Sequence, residues 1–299
     1  MSKRILITGC GGMLGSTIYK YLIEKNYNVL ATDIDLDESW ISYLDVRDFE
    51  NALKITEQFK PDLIINLAAL TNLEYCENNP EEAFKTNFLG AKNIAMICKK
   101  RDIPLVHVST AGVFDGEKER YSEDDFPNPI NVYGKTKLYA EIAIENSLKK
   151  FFIVRAGWMV GGGKKDKKFV SYMLFQIMNG NKEFKVVNDK FGTMTYTLDF
   201  AKNLEKLFNT KNYGLYHMAC KGDTTRPEII QHILKVLNRE GKIESVSSDF
   251  FSSDFPVQRS TSERMINKNL KSKNLDFMGN WKESLEHYLT NEWSHLFKK

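Results

Sequence analysis

Five short apolar runs mark the first half of the chain: RILIT (4–8), NVLATD (28–33), DLIIN (62–66), PLVHVS (104–109) and FFIVRA (151–156). Most are nearly continuous in apolar residues, the pattern of strands covered on both faces and therefore of a parallel sheet. Between them, residues 13–26, 48–59, 81–101 and 132–149 have helical length and an apolar period near 3.6. In the segment 81–101 the residues Phe84, Phe88, Ala91, Ile94, Ala95 and Cys98 form one stripe, and its phenylalanines are expected in the core. Strand-helix alternation of this kind predicts a doubly wound α/β fold with a parallel sheet. The chain has no internal repeat.

Beyond residue 157 the pattern loosens. A glycine run (161–163) precedes a helix, FKVVNDKFGTMTYT follows, and GLYHMA (214–219) reads as a further strand. A stretch rich in Ser, Asn and Lys leads to WKESLEHYLTNEW, an amphipathic helix. The expected division is a doubly wound α/β domain over 1–160 and a smaller α/β part over 161–299. Within the latter, residues from about 198 to 220 are expected to return to the first domain. The smaller part would form one wall of a cleft.

Composition narrows the classes. The 299 residues carry a formal charge of +3 and no continuous basic face, which argues against nucleic acid as partner. The basic run GGGKKDKK (161–168) is expected to be a solvated loop. No apolar run reaches the roughly 18–20 residues that span a bilayer. The start MSKRILITG lacks the apolar core and cleavage site of a secretory signal, so none is expected. The four cysteines (Cys10, Cys76, Cys98, Cys220) have neither metal-site nor CxxC spacing, so free thiols, no metal and a cytoplasmic location are expected.

The first run leads into TGCGGMLGS, with Gly9, Gly12 and Gly15 in a GxxGxxG spacing. Gly9 would permit a tight turn, Gly12 a close approach to a pyrophosphate, and Gly15 close packing of the next helix, whose N-terminus would face the phosphates. The strand-turn-helix context supports a dinucleotide cofactor over a plain glycine loop, which makes 1–160 the expected dinucleotide-binding Rossmann domain and 161–299 the mainly substrate-binding domain. Asp33 ends the second strand 18 residues after Gly15, where a carboxylate would hold the adenosine ribose hydroxyls and repel a 2′-phosphate. With Asp35, Asp37 and Glu38 following and no arginine, NADH is preferred over NADPH.

Two Tyr-x-x-x-Lys pairs occur, Tyr21/Lys25 and Tyr133/Lys137. The first lies on the helix after the glycine loop, whose apolar face (Leu14, Ile18, Leu22) must meet the sheet, leaving the pair on its outer flank. The second opens the helix before the fifth strand, 23 residues after Thr110 at the carboxyl end of the fourth strand. Ligands of open α/β sheets bind at that end, so the second pair is placed for chemistry. A tyrosine near pKa 10 is a poor acid at neutral pH. An ammonium about 4 Å away would stabilise the tyrosinate by up to roughly 4 kcal/mol at an effective dielectric of 20. That lowers the pKa toward a working range, at about 1.36 kcal/mol per unit. Thr110, in preference to Ser109, would hold the substrate oxygen near the phenol.

With these residues in place, the chain resembles the extended short-chain dehydrogenases/reductases, and within them the dTDP-4-dehydrorhamnose reductases. The likeness runs through TGCGGMLG, LDVRD, NLAALT, KTNFLGAKN, HVSTAGVFDG, YSEDDFPNPINVYGKTK, RAGWMVGGG and VVNDKFGTMTYTLDFA. It implies Thr110, Tyr133 and Lys137 as the catalytic set. It further implies Met13, Leu14, Asp45, Val46, Ala68, Ala69 and Asn87 beside the glycines and Asp33 at the cofactor. Thr71, Thr110 and Trp158 would meet the substrate, while Asp189, Gly192 and Thr195 match the block that closes the pocket. Trp158 could equally be a packing residue, and Arg259 could pair with a substrate diphosphate or simply lie on the surface. His107 and His217, within strands, are expected to be core residues.

The departures lie on the substrate side. The reductases have Asp-Tyr after the threonine, whereas this chain has Ala111-Gly112; their Ser-Trp and Arg-Pro elements become Thr225-Arg226 and Arg259-Ser260. Neither Ala111 nor Gly112 can move a proton, which argues against the dehydratases of this superfamily. The expected activity is NAD(P)H-dependent reduction of the 4-keto group of a nucleotide-activated 4-keto-6-deoxy sugar. A sugar-nucleotide 4-epimerase with tightly held NAD, and a non-catalytic subunit resembling the regulatory subunit of methionine adenosyltransferase, stay open. The expected partners are a sugar nucleotide and, as an option, a second copy in a homodimer.

Overall fold

A computed structural model describes residues 2–294. In chain order its first strands are β1 (Arg4–Thr8), β2 (Asn28–Asp33), β3 (Ser42–Tyr43), β4 (Leu63–Asn66), β5 (Leu105–Thr110) and β6 (Phe151–Ala156). They are followed by β7 (Trp158–Val160), β8 (Glu183–Val187), β9 (Phe191–Tyr196), β10 (Gly214–His217), β11 (Asp223–Thr225), β12 (Lys242–Val246) and β13 (Ser262–Glu263). The main sheet has seven parallel strands in the order β10-β6-β5-β4-β1-β2-β3. The chain reverses its direction of travel across the sheet between β1 and β4, and the carboxyl ends there bound a crevice.

Both faces of this sheet are covered, which explains the unbroken apolar runs. In β1, Ile5 and Ile7 enter one core with Ile18, Leu22, Phe200 and Leu204, while Leu6 between them enters the other with Val46, Ile94 and Ile144. The first core is built on helices α1 (Met13–Glu24) and α8 (Thr197–Phe208), which pack on each other. The second is built on α2 (Phe49–Phe59), α5 (Ala91–Arg101) and α6 (Val132–Ser147). Burying each such side chain fully contributes about 1.5–3 kcal/mol. Strand β10 forms an edge of the same sheet, and α8 lies against α1, so chain from the second half rejoins the first.

The segment 81–101 departs from the single helix expected of it. After α3 (Leu73–Asn78) and α4 (Pro80–Ala83) the chain makes a π-helical stretch at Phe84–Gly90 before α5. The wider turn brings Asn87 and Gly90 inward, both buried. Phe84 and Phe88 are consequently only partly buried and rest against Tyr139 of α6, with ring centroids 5.7 and 5.9 Å away. Helical spacing alone missed this because a π turn shifts the stripe.

The rest of the chain caps the crevice. Strands β11, β9 and β13 form one small sheet, with β7 pairing to β9, and β12 pairs with β8. Helices α9 (Arg226–Val236) and α11 (Trp281–Glu292) pack on these strands and α7 (Phe169–Met178) on α9, while α10 (Lys268–Ser272) lies against β10 of the main sheet. The short strands β3, β7, β11 and β13 are too brief to show a period in sequence. Among the described residues no helix is long and apolar enough to cross a membrane, and no cluster of metal-ligating side chains occurs. All four cysteines are free and buried, and burial pushes the Cys10 thiol up to about 12 and Cys220 up to about 11.

Candidate active site

The glycine loop joins β1 to α1 at the crevice. Gly9 has φ +70°, and a Cβ there would fall 2.5 Å from the Ala68 backbone nitrogen, so the loop after β4 lies directly on the turn. A Cβ on Gly15 would meet the Gly9 carbonyl oxygen at 2.5 Å. Gly12 is the N-cap of α1 and offers no side-chain cap, and the first turn holds no acid. By contrast α2, α3, α6, α9 and α11 all have their first amides bonded by a capping side chain. The uncapped, positive end of α1 is suited to an anion, and these residues fit a dinucleotide diphosphate. Met13 and Leu14 open this helix; Leu14 is buried.

Asp33 is tied into the same turn. Its carboxylate accepts from the Gly11 backbone N–H at 2.8 Å and from the Ile34 N–H at 2.7 Å. An ionised carboxylate has about four lone-pair sites, so acceptor capacity remains for a ribose hydroxyl. The other residues implied at the cofactor are distributed around this loop. Asp45 accepts from the Arg47 guanidinium through both carboxylate oxygens, which holds its carboxyl below the usual range. Val46 is buried against Gly90. Ala68 and Ala69 are partly exposed in the loop after β4. Asn87 is fully buried, with its amide committed to both backbone groups of Leu70 and to Thr136 Oγ1. It holds the loop after β4 to α6 through Leu70 and Thr136.

The basic run 161–168 corrects the expectation of a solvated loop. Gly161, Gly162 and Gly163 all have positive φ and fold the chain back onto Met13, which a Cβ on Gly162 would strike at 2.8 Å. Lys165 then reaches the glycine turn, donating to the Gly11 carbonyl at 2.9 Å and pairing with Glu38 at 3.1 Å. The glycines supply the left-handed backbone that this approach requires.

Tyr133 and Lys137 lie on the first turns of α6. Asn131 caps that helix, its Oδ1 accepting from the Gly134 N–H at 2.9 Å, while its amide donates to the Gln258 carbonyl. Gly134 lets the helix start press on the end of β5: a Cβ there would fall 2.2 Å from the Gly112 carbonyl oxygen. This contact brings Tyr133 beside Thr110, whose hydroxyl is near enough to act on the phenol's proton. Ser109, alternating on the strand, is buried with no partner for its hydroxyl. Ala111 packs with Ala219 and Met265, and an added Cβ at Gly112 would lie within van der Waals contact of both Thr110 and Tyr133.

The charge picture differs from the expectation that the lysine lowers the tyrosine pKa. Burial pushes Tyr133 up to about 12, with the Thr110 hydrogen bond working against it. Lys137 is pushed down to about 8 by burial, opposed by Glu141. Its ammonium is directed at the β5 backbone and at a histidine, donating to Val108 O at 2.8 Å and lying 3.2 Å from His107 Nε2. Desolvation therefore dominates both groups. His107 was expected in the core and is buried there, yet its ring nitrogens are both engaged. A buried imidazole in a strand needs partners, and that requirement was the available signal.

The substrate-side residues meet at the wall opposite. Trp158 donates its indole N–H to Glu263 at 2.5 Å, and the Arg226 guanidinium lies 5.7 Å from the Trp158 ring centroid and 5.3 Å from that of Phe169. Arg259 pairs with Glu74 at 2.6 Å. Thr71 is exposed in the loop after β4, 3.5 Å from Lys168 Nζ. Burial raises the Glu263 carboxyl, which the Trp158 bond, Arg226, Arg259 and Lys190 all offset, and its charge reaches Tyr133. Arg226 stands where the resemblance has its Ser-Trp element, whereas Glu263 has no sequence motif and is found only through its contact with the distant Trp158. Gly192 and Thr195 sit beside this wall, Gly192 with Trp158 lying against its Cα and Thr195 with its hydroxyl accepting from the Gly157 N–H. Asp189 is bonded to Ser248.

Comparison with known proteins places these observations. The RmlD substrate binding domain family model matches residues 3–293. The chain is 35% identical to the dTDP-4-dehydrorhamnose reductase of Aggregatibacter actinomycetemcomitans over 222 residues, 72% of each chain. It is 30% identical to methionine adenosyltransferase 2 subunit beta of Xenopus tropicalis, over 76% of this chain and 70% of that one. Among solved structures, the dTDP-4-dehydrorhamnose reductase of Bacillus anthracis in complex with NADP superposes with a TM-score of 0.89 at 29% identity, covering 97% of this chain and 99% of that one.

Proposed function

The chain belongs to the RmlD substrate-binding family, and on that premise we propose that it is an NAD(P)H-dependent reductase of the 4-keto group of a nucleotide-activated 4-keto-6-deoxy sugar. The observation that carries the reading is the meeting of Thr110 and Tyr133 beside buried Lys137, at the carboxyl edge of the sheet and next to the uncapped start of α1. When bound, the reduced nicotinamide supplies the hydride for the carbonyl carbon.

This chain's residues handle the oxygen and its proton. Thr110 Oγ orients the ketone oxygen, and Tyr133 donates its phenolic proton as that oxygen gains charge. With its pKa raised to about 12, Tyr133 is fully protonated at neutral pH and so available as a donor. Lys137, a cation below about pH 8, stabilises the phenolate left behind and offers its remaining N–H to a cofactor hydroxyl. Trp158, its partner Glu263 and the nearby Arg226 bound the sugar side, and Arg259 is the guanidinium assigned to the diphosphate. The Asp33 carboxylate at the ribose end favours NADH, with NADPH as the alternative cofactor; Lys165 is the cation nearest that turn.

The test is NADH and NADPH oxidation followed with a panel of dTDP- and UDP-linked 4-keto-6-deoxy sugars. Consumption of cofactor with formation of the 4-hydroxy sugar is expected, with the larger kcat/KM for NADH. If no member of the panel is reduced by protein that binds the cofactor, the reading fails in favour of a binding subunit.

A further inference from the structure

A line of four buried polar side chains runs beneath the candidate site. Thr8, Asn66, His107 and Lys137 are each no more than 3% exposed, so all must find their hydrogen bonds within the protein. Thr8 Oγ1 donates to Asn66 Oδ1 at 2.6 Å. Asn66 Nδ2 is 3.2 Å from His107 Nδ1, and His107 Nε2 is 3.2 Å from Lys137 Nζ. The line starts at the last residue of β1, one position before Gly9, crosses β4 and β5, and ends on α6. It thus connects the cofactor turn to the lysine.

The donor count makes this line more than packing. A neutral imidazole has one N–H and one acceptor nitrogen, and an ammonium is a donor only. In the arrangement observed, the Asn66 amide N–H faces Nδ1, so Nδ1 accepts and the ring proton belongs on Nε2, toward Lys137. That pairing is complete when the lysine is a neutral amine with a lone pair to offer. Protonating the lysine reverses the requirement: Nε2 must accept, the ring proton moves to Nδ1, and Asn66 must turn its amide to present Oδ1. Thr8 Oγ1 then accepts from Asn66 Nδ2. The histidine itself stays neutral throughout, because burial and the adjacent lysine both hold its pKa well below the usual value.

The charged surroundings do not supply a competing control. On α6, Glu141 acts on Lys137 from one turn further along, but its carboxylate is bonded to Arg155 of β6 at 3.0 and 2.6 Å. Tyr133 lies on the same helix, with Cys76 and Glu263 facing it from α3 and β13. From β4 only uncharged Asn66 approaches. The side chain in direct contact with the ammonium is therefore His107.

We propose that His107 is a positioning residue for Lys137, holding its ammonium on the β5 side of the cleft, and that the imidazole tautomer and the Asn66 amide switch together with the charge on that lysine. This deepens the reductase reading and rests on it for the kinetic consequence alone; the tautomer switch is measurable without turnover.

The decisive measurement is nitrogen-15 NMR of histidine-labelled wild-type protein from pH 6 to 10. The His107 resonances should show Nδ1 protonated at low pH and Nε2 protonated at high pH, crossing where Lys137 titrates. A ring that keeps one tautomer through that titration overturns the proposal. In the kinetic arm, His107→Phe should lower kcat about tenfold and move the alkaline limb about one pH unit lower, with KM for the sugar nucleotide little changed. His107→Gln, which keeps a polar end toward the lysine, should recover most of both. Unchanged kcat and limb in folded His107→Phe would also overturn it. If wild-type protein reduces no sugar nucleotide, the reductase reading falls, and the NMR result still decides the switch.

Discussion

The molecule contains the same four-residue Tyr-Lys spacing twice, and the two copies have opposite surroundings. On α1, the Tyr21 hydroxyl donates to Glu205 of α8 at 2.5 Å, and the Lys25 ammonium lies 5.7 Å from the Tyr21 ring centroid. The phenol faces a carboxylate that also accepts from Tyr27, and burial together with Glu205 raises its pKa above the ordinary tyrosine value. On α6, the phenol faces a threonine hydroxyl at the crevice, and the lysine is drawn beneath it by a carbonyl and an imidazole. Spacing puts a lysine one turn from a tyrosine in both; what faces the hydroxyl decides whether its proton can leave for a ligand. A phenol bonded to a carboxylate is a strut between two helices, whereas a phenol at the carboxyl edge of the sheet with a threonine hydroxyl beside it is placed to give its proton to a ligand.

The comparison is broken most directly by removing the two hydroxyls. Tyr133→Phe should lower kcat by about 10²–10⁴, the range of a lost general acid, while cofactor affinity measured by fluorescence titration changes little. Activity within a factor of three of wild type would remove Tyr133 from the chemistry. A smaller effect follows from pH. Lys137 titrates near 8, so the cation present below that value is lost as pH rises through it. The saturated rate should fall about tenfold from its plateau by roughly one unit above pH 8, while Tyr133, titrating near 12, stays protonated over that span. A flat rate from pH 7 to 10 would show that the ammonium is dispensable.

Much of this contrast was legible in the chain. The five strands of β1, β2, β4, β5 and β6 stand within a residue of their apolar runs, because a sheet covered on both faces leaves no polar interruption. The position of Thr110 and Tyr133 at the carboxyl edge followed from strand order and connection alone. Trp158 and Arg259 were named on the substrate side, but their partners were not legible, since those contacts join remote segments: Trp158 with Glu263, and Arg259 with Glu74. His107 was read as core because a histidine in an apolar strand looks like packing; its role appears only when both ring nitrogens must be satisfied. The π turn escaped because its cause, Asn87 reaching to Leu70 and Thr136, lies across the chain. The basic run looked solvated because nothing in its composition reveals that its glycines fold Lys165 onto the glycine turn.

The smallest effect concerns the other pair and is the sharpest control. Tyr21→Phe removes a hydrogen bond to a carboxylate that retains Tyr27 as a second donor, so the loss in stability should be about 1 kcal/mol. No change in kcat or in its pH limb is expected, since the pair touches neither the crevice nor the glycine turn. The raised pKa of Tyr21 gives a further signature with a definite sign. A folded-state value above the unfolded one contributes stability that is complete below the unfolded pKa, near 10, and is lost as pH rises beyond it. Urea unfolding at pH 8 and pH 10.5 should therefore show the gap between wild type and Tyr21→Phe narrowing at the higher pH. A gap that widens there, or a kcat that falls with Tyr21→Phe, would mean that the α1 pair communicates with the site and that surroundings alone do not separate the two copies.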